Sequence, residues 1–373
     1  MRKHTASMIV CLAVCAVCAI PEACMAAEPD SAKPFFETQE LFRKVRIPTI
    51  TVTPGGTVLA FAADCKFMRR SEDGGKSWSE VEQLECSGGK AVPDEVAGDI
   101  IIVCSTSGFL LRSSDEGKTW RREEITVKPN AAGHGVPKNM PAFGHGSETG
   151  ITLLQGKHKG RLLMPMRICP PNSSNAEEHW PYHYNTAMYS DDRGKTWQTS
   201  GPVQSGTGEG TLAELSDGKV YYNSRSHMSV DHRRRIAYSH DGGHMWTDWE
   251  VSNELFEVGQ PAYFKYGTKP SYGCNAGLVR MPREATGGKD VLLFSTLDNP
   301  GGHRVKMTVW ASFDGAKTWP LKRLAYKGPS AYSSLAADKK GNIYLLFENG
   351  EKNLYERISV ARFNLAWLKE AAK

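Results

Sequence analysis

A chain of 373 residues with 46 Lys and Arg against 41 Asp and Glu carries a formal charge of +5, and 40% of its residues are hydrophobic. So mild a basic balance excludes the dense positive footprint of a nucleic-acid-binding surface. Beyond the N-terminal region no stretch reaches the eighteen or so consecutive apolar residues of a membrane-spanning helix.

The chain opens with Arg2 and Lys3, continues through mostly apolar residues from Met8 to Ile20, and reaches a small-residue stretch at Ala23–Ala27. That order predicts a secretory signal peptide over 1–27, cut near Ala26 or Ala27, whose apolar run is too short to span a bilayer. A lipoprotein anchor at Cys15 or Cys24 fits less well, since Pro21 stands where an aliphatic residue is wanted. The remaining domain, residues 28–373, is expected to be secreted or periplasmic. Losing Arg2, Lys3 and Glu22 takes its charge to 44 − 40 = +4. Four of the nine cysteines leave with the signal, so Cys65, Cys86, Cys104, Cys169 and Cys274 remain, an odd number. One disulfide among Cys65, Cys86 and Cys104 is plausible, and spacing does not choose it. No Cys or His spacing suggests a metal, and no cofactor is expected.

Next along the chain, an octapeptide recurs as SEDGGKSW (71–78), SSDEGKTW (113–120), SDDRGKTW (190–197), SHDGGHMW (239–246) and SFDGAKTW (312–319). It reads as a hairpin device: the Asp accepts backbone N–H bonds across the turn, the Gly takes a positive φ, and the Trp covers the hairpin base. Each box has too few oxygen ligands to hold calcium. Successive tryptophans are 42, 77, 49 and 73 residues apart, as four-stranded blades of 40–50 residues give when some lose the box or carry insertions. Between the boxes lie short β-rich runs, TVLAFAA, DIIIVC, RLLMPMRI, VYYNSR, VLLFST and IYLLF, separated by Gly, Pro, Asn and Asp. Only the end, FNLAWLKEAAK, reads as helix. The fold class that follows is all-β, a six-bladed β-propeller in one domain.

Four further motifs follow one another in chain order. "VRIPTI" holds Arg46-Ile47-Pro48; "EGTLAELSDGKVYYNSR" runs from Glu209 to Arg225; "GGHRVKMTVWASFDGAKTW" places Arg304 ahead of the last box; "YSSLAADKKGNIYLLFE" runs from Tyr332 to Glu348. With the boxes, this set over residues 40–365 resembles the sialidase (neuraminidase) family. The resemblance implies three arginines, Arg46, Arg225 and Arg304, holding the carboxylate of a sialic acid through charge-assisted, partly bidentate bonds. It implies Tyr332 as nucleophile, because a neutral phenol is not repelled by that carboxylate as Asp or Glu would be. Glu209 is then the base that takes the phenolic proton, and Glu348 the carboxylate that orients Arg46. Taken singly, each arginine reads more readily as a surface ion-pair partner and Glu209 as a solvated turn residue. The cluster Arg233-Arg234-Arg235 belongs to no motif and is expected at a solvent-facing blade edge.

The pattern departs from the family after Arg-Ile-Pro. "RIPTITVTPGGTVLAFAADCKFMRRSEDGG" runs from strand almost directly into the first box, without a loop bearing the Asp that protonates the leaving group, and Cys65 stands where a further arginine would be. Asp64 is the nearest substitute for that acid; Asp94, Glu95, His134, His145 and Glu148 are others. The insertion "PPNSSNAEEHWPYHYN" brings Trp180, Tyr182 and Tyr184, which could stack on sugar faces or form an inert surface loop. The resemblance therefore implies a secreted exo-sialidase releasing terminal sialic acid from glycans or glycoproteins with retention of configuration. Two alternatives stay open: a propeller that binds sialylated glycans with weak or no catalysis, and a glycosidase or transferase for a related 2-keto sugar acid. Oligomeric state is not legible.

Overall fold

The computed structural model describes Met1 and residues 33–129, 148–169, 177–228, 231–259 and 273–370. Residues 2–32, with most of the expected signal segment, and 130–147, with His134 and His145, lie outside them. Strand pairing resolves the described residues into six four-stranded antiparallel blades. Blade 1 is Thr49–Val52, Val58–Ala62, Phe67–Ser71 and Glu82–Gln83; blade 2 is Lys90–Asp94, Asp99–Cys104, Phe109–Ser113 and Arg121–Glu124. Blade 3 is Ile151–Thr152, Leu162–Ile168, Tyr184–Ser190 and Thr196–Thr199, with Thr126–Lys128 added in parallel at its edge. Blade 4 is Thr207–Glu214, Val220–Ser226, Arg233–Ser239 and Thr247–Phe256.

The last two blades share a strand. Leu321–Ala337 pairs first with Val305–Ser312, completing blade 5 with Gly277–Arg280 and Leu292–Leu297. It then pairs with Asn342–Asn349, which pairs with Arg357–Asn364. The ring closes when Phe36–Arg43, near the start of the chain, takes the outer place of blade 6 against Arg357–Asn364. The first strands of the six blades touch one another in a closed circle, so they surround the axis.

Why these residues make blades follows from the period of two. In Val58–Ala62, Leu59 and Phe61 join Ile100, Ile102 and Leu111 of blade 2, whereas Val58, Ala60 and Ala62 join Leu346, Ile358 and Val360 of blade 6. The six β-rich runs of the sequence are the second strands of the six blades, and they are apolar on both faces because each is covered on both faces. Each junction carries its own apolar cluster. At about 1.5–3 kcal/mol for each large side chain buried, these junctions are the main source of cohesion.

Each second strand returns to the end of the axis where its first strand began, and each third strand runs away from it. The boxes therefore sit on the opposite rim. In the first, the Asp73 carboxylate accepts the N–H groups of Lys76 and Ser77 at 3.0 Å, and Ser71 Oγ accepts that of Gly75 at 2.8 Å. Those bonds hold the Asp73 carboxyl below its usual range, the Ser77 hydroxyl contributing most. Gly75 has φ +82°, and a Cβ there would lie 2.8 Å from Tyr344 of blade 6. Gly243, in the box of blade 4, has φ +87°, and its Cβ would lie 2.5 Å from Leu163 of blade 3. A box thus also seats its blade against the one before.

Two expectations are corrected. Arg234 is fully buried rather than at a solvent edge. It alternates onto the face that blade 5 covers, where Asn223 Oδ1 accepts at 2.7 Å, Glu257 at 3.1 and 3.2 Å, and the Cys274 carbonyl at 2.9 Å. The terminal helix is Leu365–Glu370, shorter than expected at its start because Phe363 and Asn364 finish a strand. Asn364 Oδ1 then caps the helix by accepting the Trp367 N–H at 2.9 Å. Cys86 and Cys104 form a disulfide; Cys65 and Cys274 are buried thiols.

Candidate active site

Four of the implied residues meet where the chain enters or leaves the axial strands. Arg46 precedes the first strand of blade 1, Glu209 and Arg225 lie on the first two strands of blade 4, and Tyr332 begins the axial half of the long shared strand. Arg304 stands just before Val305–Ser312. Tyr332 is the centre of this group. Its O–H donates to Glu209 Oε1, and Arg225 Nη1 donates to its oxygen at 3.3 Å. The guanidinium carbons of Arg46 and Arg304 lie 5.2 and 5.7 Å from its ring centre. All three guanidinium groups therefore surround one phenol.

The two carboxylates have different work. Glu348 is fully buried and accepts Arg46 Nε at 3.1 Å and Nη2 at 3.3 Å, the Ile47 N–H at 2.9 Å and the Tyr332 N–H at 3.1 Å. One carboxylate thus joins the arginine and the tyrosine strand from opposite ends of the sequence. Ile47 is held there at φ +64°, a conformation that costs a β-branched residue about 1–3 kcal/mol. Glu209 accepts Arg225 Nη1 at 2.7 Å besides the phenol.

Burial pushes the Glu209 carboxyl up, but the charges of Arg225, His227 and Arg167 outweigh it and hold the group well below the usual carboxylate range. Burial, then the Glu209 charge, pushes the Tyr332 phenol above its ordinary value against the pull of the three arginines. Both shifts keep the proton on Tyr332 and the charge on Glu209. A carboxylate accepting a phenolic hydrogen bond is an arrangement that can serve as a nucleophile–base pair. Three guanidinium groups and Arg167 against Glu209 and Glu348 leave the site net positive, which suits a ligand bearing a carboxylate.

The remaining candidates are placed elsewhere. Asp64 lies in a tight turn with Ala63 and Cys65, all three at positive φ (52°, 53° and 65°), and its carboxylate pairs at 3.1 Å with Lys90, whose ammonium is fully buried and also donates to Thr49 Oγ1 at 3.1 Å. The turn backs the site, since Ala63 N–H donates to the Arg46 carbonyl at 2.7 Å. Glu148 is buried beneath the site, accepting the Ser334 hydroxyl at 2.5 Å and the Thr149 N–H at 2.8 Å. Burial pushes its carboxyl up to about 8. Asp94 and Glu95 end the axial strand that Lys90 begins and so belong to the opposite rim, where Asp94 pairs with Arg193 and the Glu95 N–H meets Thr152. Of the insertion, Trp180 stacks on His227 at 4.7 Å, Tyr184 starts a strand, and Tyr182 is the most exposed. The His227 ring occupies the space that a Cβ on Gly208 would need, beside Glu209.

Two contributors have no sequence signature. Tyr355 lays its ring 3.9 Å from the Arg46 guanidinium carbon and accepts Arg304 Nη1 at 3.1 Å. Lys90 carries no motif and is identified only by its fully buried ion pair.

Comparison with known proteins agrees with this frame. Residues 99–345, more than half of the chain, match the BNR repeat-like domain model. The chain is 29% identical over 401 residues to a sialidase of Micromonospora viridifaciens, covering 91% of this chain and 55% of that protein. It is 30% identical over 166 residues to a sialidase of Bacteroides fragilis, covering 43% and 28%. The chain thus spans little more than half the length of the first relative. Among solved structures, a Hadza microbial sialidase superposes with a TM-score of 0.66 at 22% identity, covering 87% of this chain and 66% of that one. The intramolecular trans-sialidase of Ruminococcus gnavus does so with 0.62 at 16% identity, covering 88% and 95%. The chain belongs to the BNR repeat-like family and is built as a sialidase-type β-propeller.

Proposed function

We propose that the chain is a retaining exo-sialidase that releases terminal sialic acid from glycoconjugates. The observation that carries this reading is the Tyr332 hydroxyl donating to Glu209 within a ring of three guanidinium groups. The arginines receive the carboxylate next to the anomeric carbon. As the bond to the aglycone breaks, Tyr332 Oη bonds to that carbon and its proton passes to Glu209; coupling the two events matters because the resting phenol is a weak nucleophile. Water then attacks the anomeric carbon of the glycosyl-tyrosine, Glu209 returns the proton to the departing phenol oxygen, and the proton that the water sheds balances the one taken up by the aglycone oxygen expelled in the first step. Asp64 is the substitute for the missing acid, but protonating a leaving group would require it to give up its ion pair with Lys90. The reading therefore favours substrates whose leaving group needs little protonation. Export follows the predicted signal segment, and the Cys86–Cys104 disulfide fits an oxidising compartment.

The deciding experiment compares an aryl sialoside with a sialyl-galactose linkage. Clear turnover of the aryl substrate with slow turnover of the natural linkage is expected, and Asp64→Asn should leave the former unchanged while slowing the latter. No turnover of either, with sialic acid still bound, would replace this reading by that of a glycan-binding propeller. Turnover of a different 2-keto sugar acid in preference would redirect the substrate.

A further inference from the structure

The carboxylate-binding reading leaves one question open: what keeps Arg46 and Arg304, two like charges, in fixed positions while no ligand bridges them? Arg46 is held along one edge by Glu348, with Nη1 making no hydrogen bond among the described residues. Its side chain is 43% exposed, so an edge contact alone leaves the plane of the guanidinium free to tilt. Tyr355 supplies the second constraint. Its ring lies against the Arg46 guanidinium at 3.9 Å, and its hydroxyl accepts from Arg304 at 3.1 Å. A cation on a ring face and a charge-assisted bond to the phenol oxygen are compatible in one tyrosine, because one uses the face and the other the edge.

The loop that presents Tyr355, residues 350–356, is itself built. Glu356 accepts the N–H groups of Glu351, Lys352 and Asn353 at 3.1, 2.9 and 2.8 Å, Asn353 Oδ1 accepts that of Tyr355 at 3.0 Å, and Tyr326 donates to the Gly350 carbonyl at 2.7 Å. Lys44 N–H, two residues before Arg46, donates to the Glu356 carbonyl at 3.1 Å. The strand entering this loop ends with Glu348 and Asn349, so a single hairpin holds Arg46 by its edge and by its face.

Resting on the sialic acid reading, we propose that Tyr355 is a positioning residue that sets the geometry of the carboxylate clamp by fixing Arg46 and Arg304 to each other. It touches no reacting atom, so its effect belongs in recognition of the carboxylate and not in the chemical step.

The test measures, by calorimetry, binding of 2,3-didehydro-2-deoxy-sialic acid and of its methyl ester to the full chain, with KM and kcat on an aryl sialoside. For Tyr355→Leu the free acid is expected to bind about 10- to 100-fold more weakly, while the ester changes little, because only the acid uses the charge pair. Tyr355→Phe keeps the ring and should recover most of that loss, by about tenfold, leaving the part that belongs to Arg304. KM should follow these changes with kcat within about threefold of the parent, since Tyr332 and Glu209 are untouched. Thermal melting identifies a Leu variant that does not fold, in which case the Phe variant's acid-to-ester preference decides alone. A parent chain that binds neither compound overturns the sialic acid reading and this proposal with it. A parent that prefers the acid, with both variants keeping the same preference, overturns the role of Tyr355 and leaves the function standing.

Discussion

The proton between Tyr332 and Glu209 separates an enzyme from a binder. Tyr332→Phe removes the oxygen proposed to attack but keeps the ring that Arg46 and Arg304 face. Turnover should fall by about 10²- to 10⁴-fold, with affinity for free sialic acid nearly unchanged in titration calorimetry. Because the proposed base role requires Glu209 to be ionised, and Arg225 is the strongest of the charges that hold it so, the acid limb of kcat/KM should lie below pH 4.5 and move upward in Arg225→Lys. Glu148 gives the opposite sign in stability. Its carboxyl titrates near 8 when folded and near 4.5 when unfolded, so between these values the folded chain holds a proton that the unfolded chain has released. Its contribution is therefore complete below pH 4.5 and is lost as the pH rises toward 8, at a slope of about 1.4 kcal/mol per pH unit. Glu148→Gln should flatten the dependence of urea midpoints on pH over that window. Arg46, Arg225, Arg304, Glu209, Tyr332 and Glu348 were legible because each sits in a motif whose neighbours are equally distinctive. Tyr355 was not: "NGEKNLYER" announces a hairpin loop, and nothing in its spacing says that the loop folds back over two arginines 258 residues apart, at 46 and 304.

For the elements, the second strands were legible because burial on both faces leaves an unbroken apolar run, whereas the outer strand Thr247–Phe256 is largely exposed and polar and carries no such mark. Direction around the axis was also hidden. Asp94 and Glu95 qualify as acids by residue type alone, and only the run of the strand from Lys90 shows that they point to the far rim. Arg234 was misread for a related reason, since three consecutive arginines in a strand must alternate between faces and one must turn inward. The boxes allow a test of their seating role. Gly243→Ala combines a positive φ with a contact 2.5 Å from Leu163, and Gly315→Ala, at φ +74° with nothing within 4 Å, carries the backbone strain alone. Urea denaturation should show the first variant less stable than the second by about 1–3 kcal/mol. Equal losses would mean that the box does not seat one blade on the next.

For the whole molecule, the order of the chain around the ring decides when the site exists. Among the described residues Phe36–Arg43 pairs only with Arg357–Asn364, and Arg46 finds Glu348 302 positions further along the chain. A chain emerging N-terminus first, from a ribosome or through a membrane pore, must therefore carry its opening strand unpaired until almost the last blade has appeared. Blades 1 to 5 can stack meanwhile, but no product that ends before Glu348 holds the arginine, the phenol and the carboxylate that joins them. If the proposed hydrolysis of an aryl sialoside holds, that activity reports ring closure, so a pulse-labelled chain should gain it only after Arg357–Asn364 has been released, with no partially active species before it.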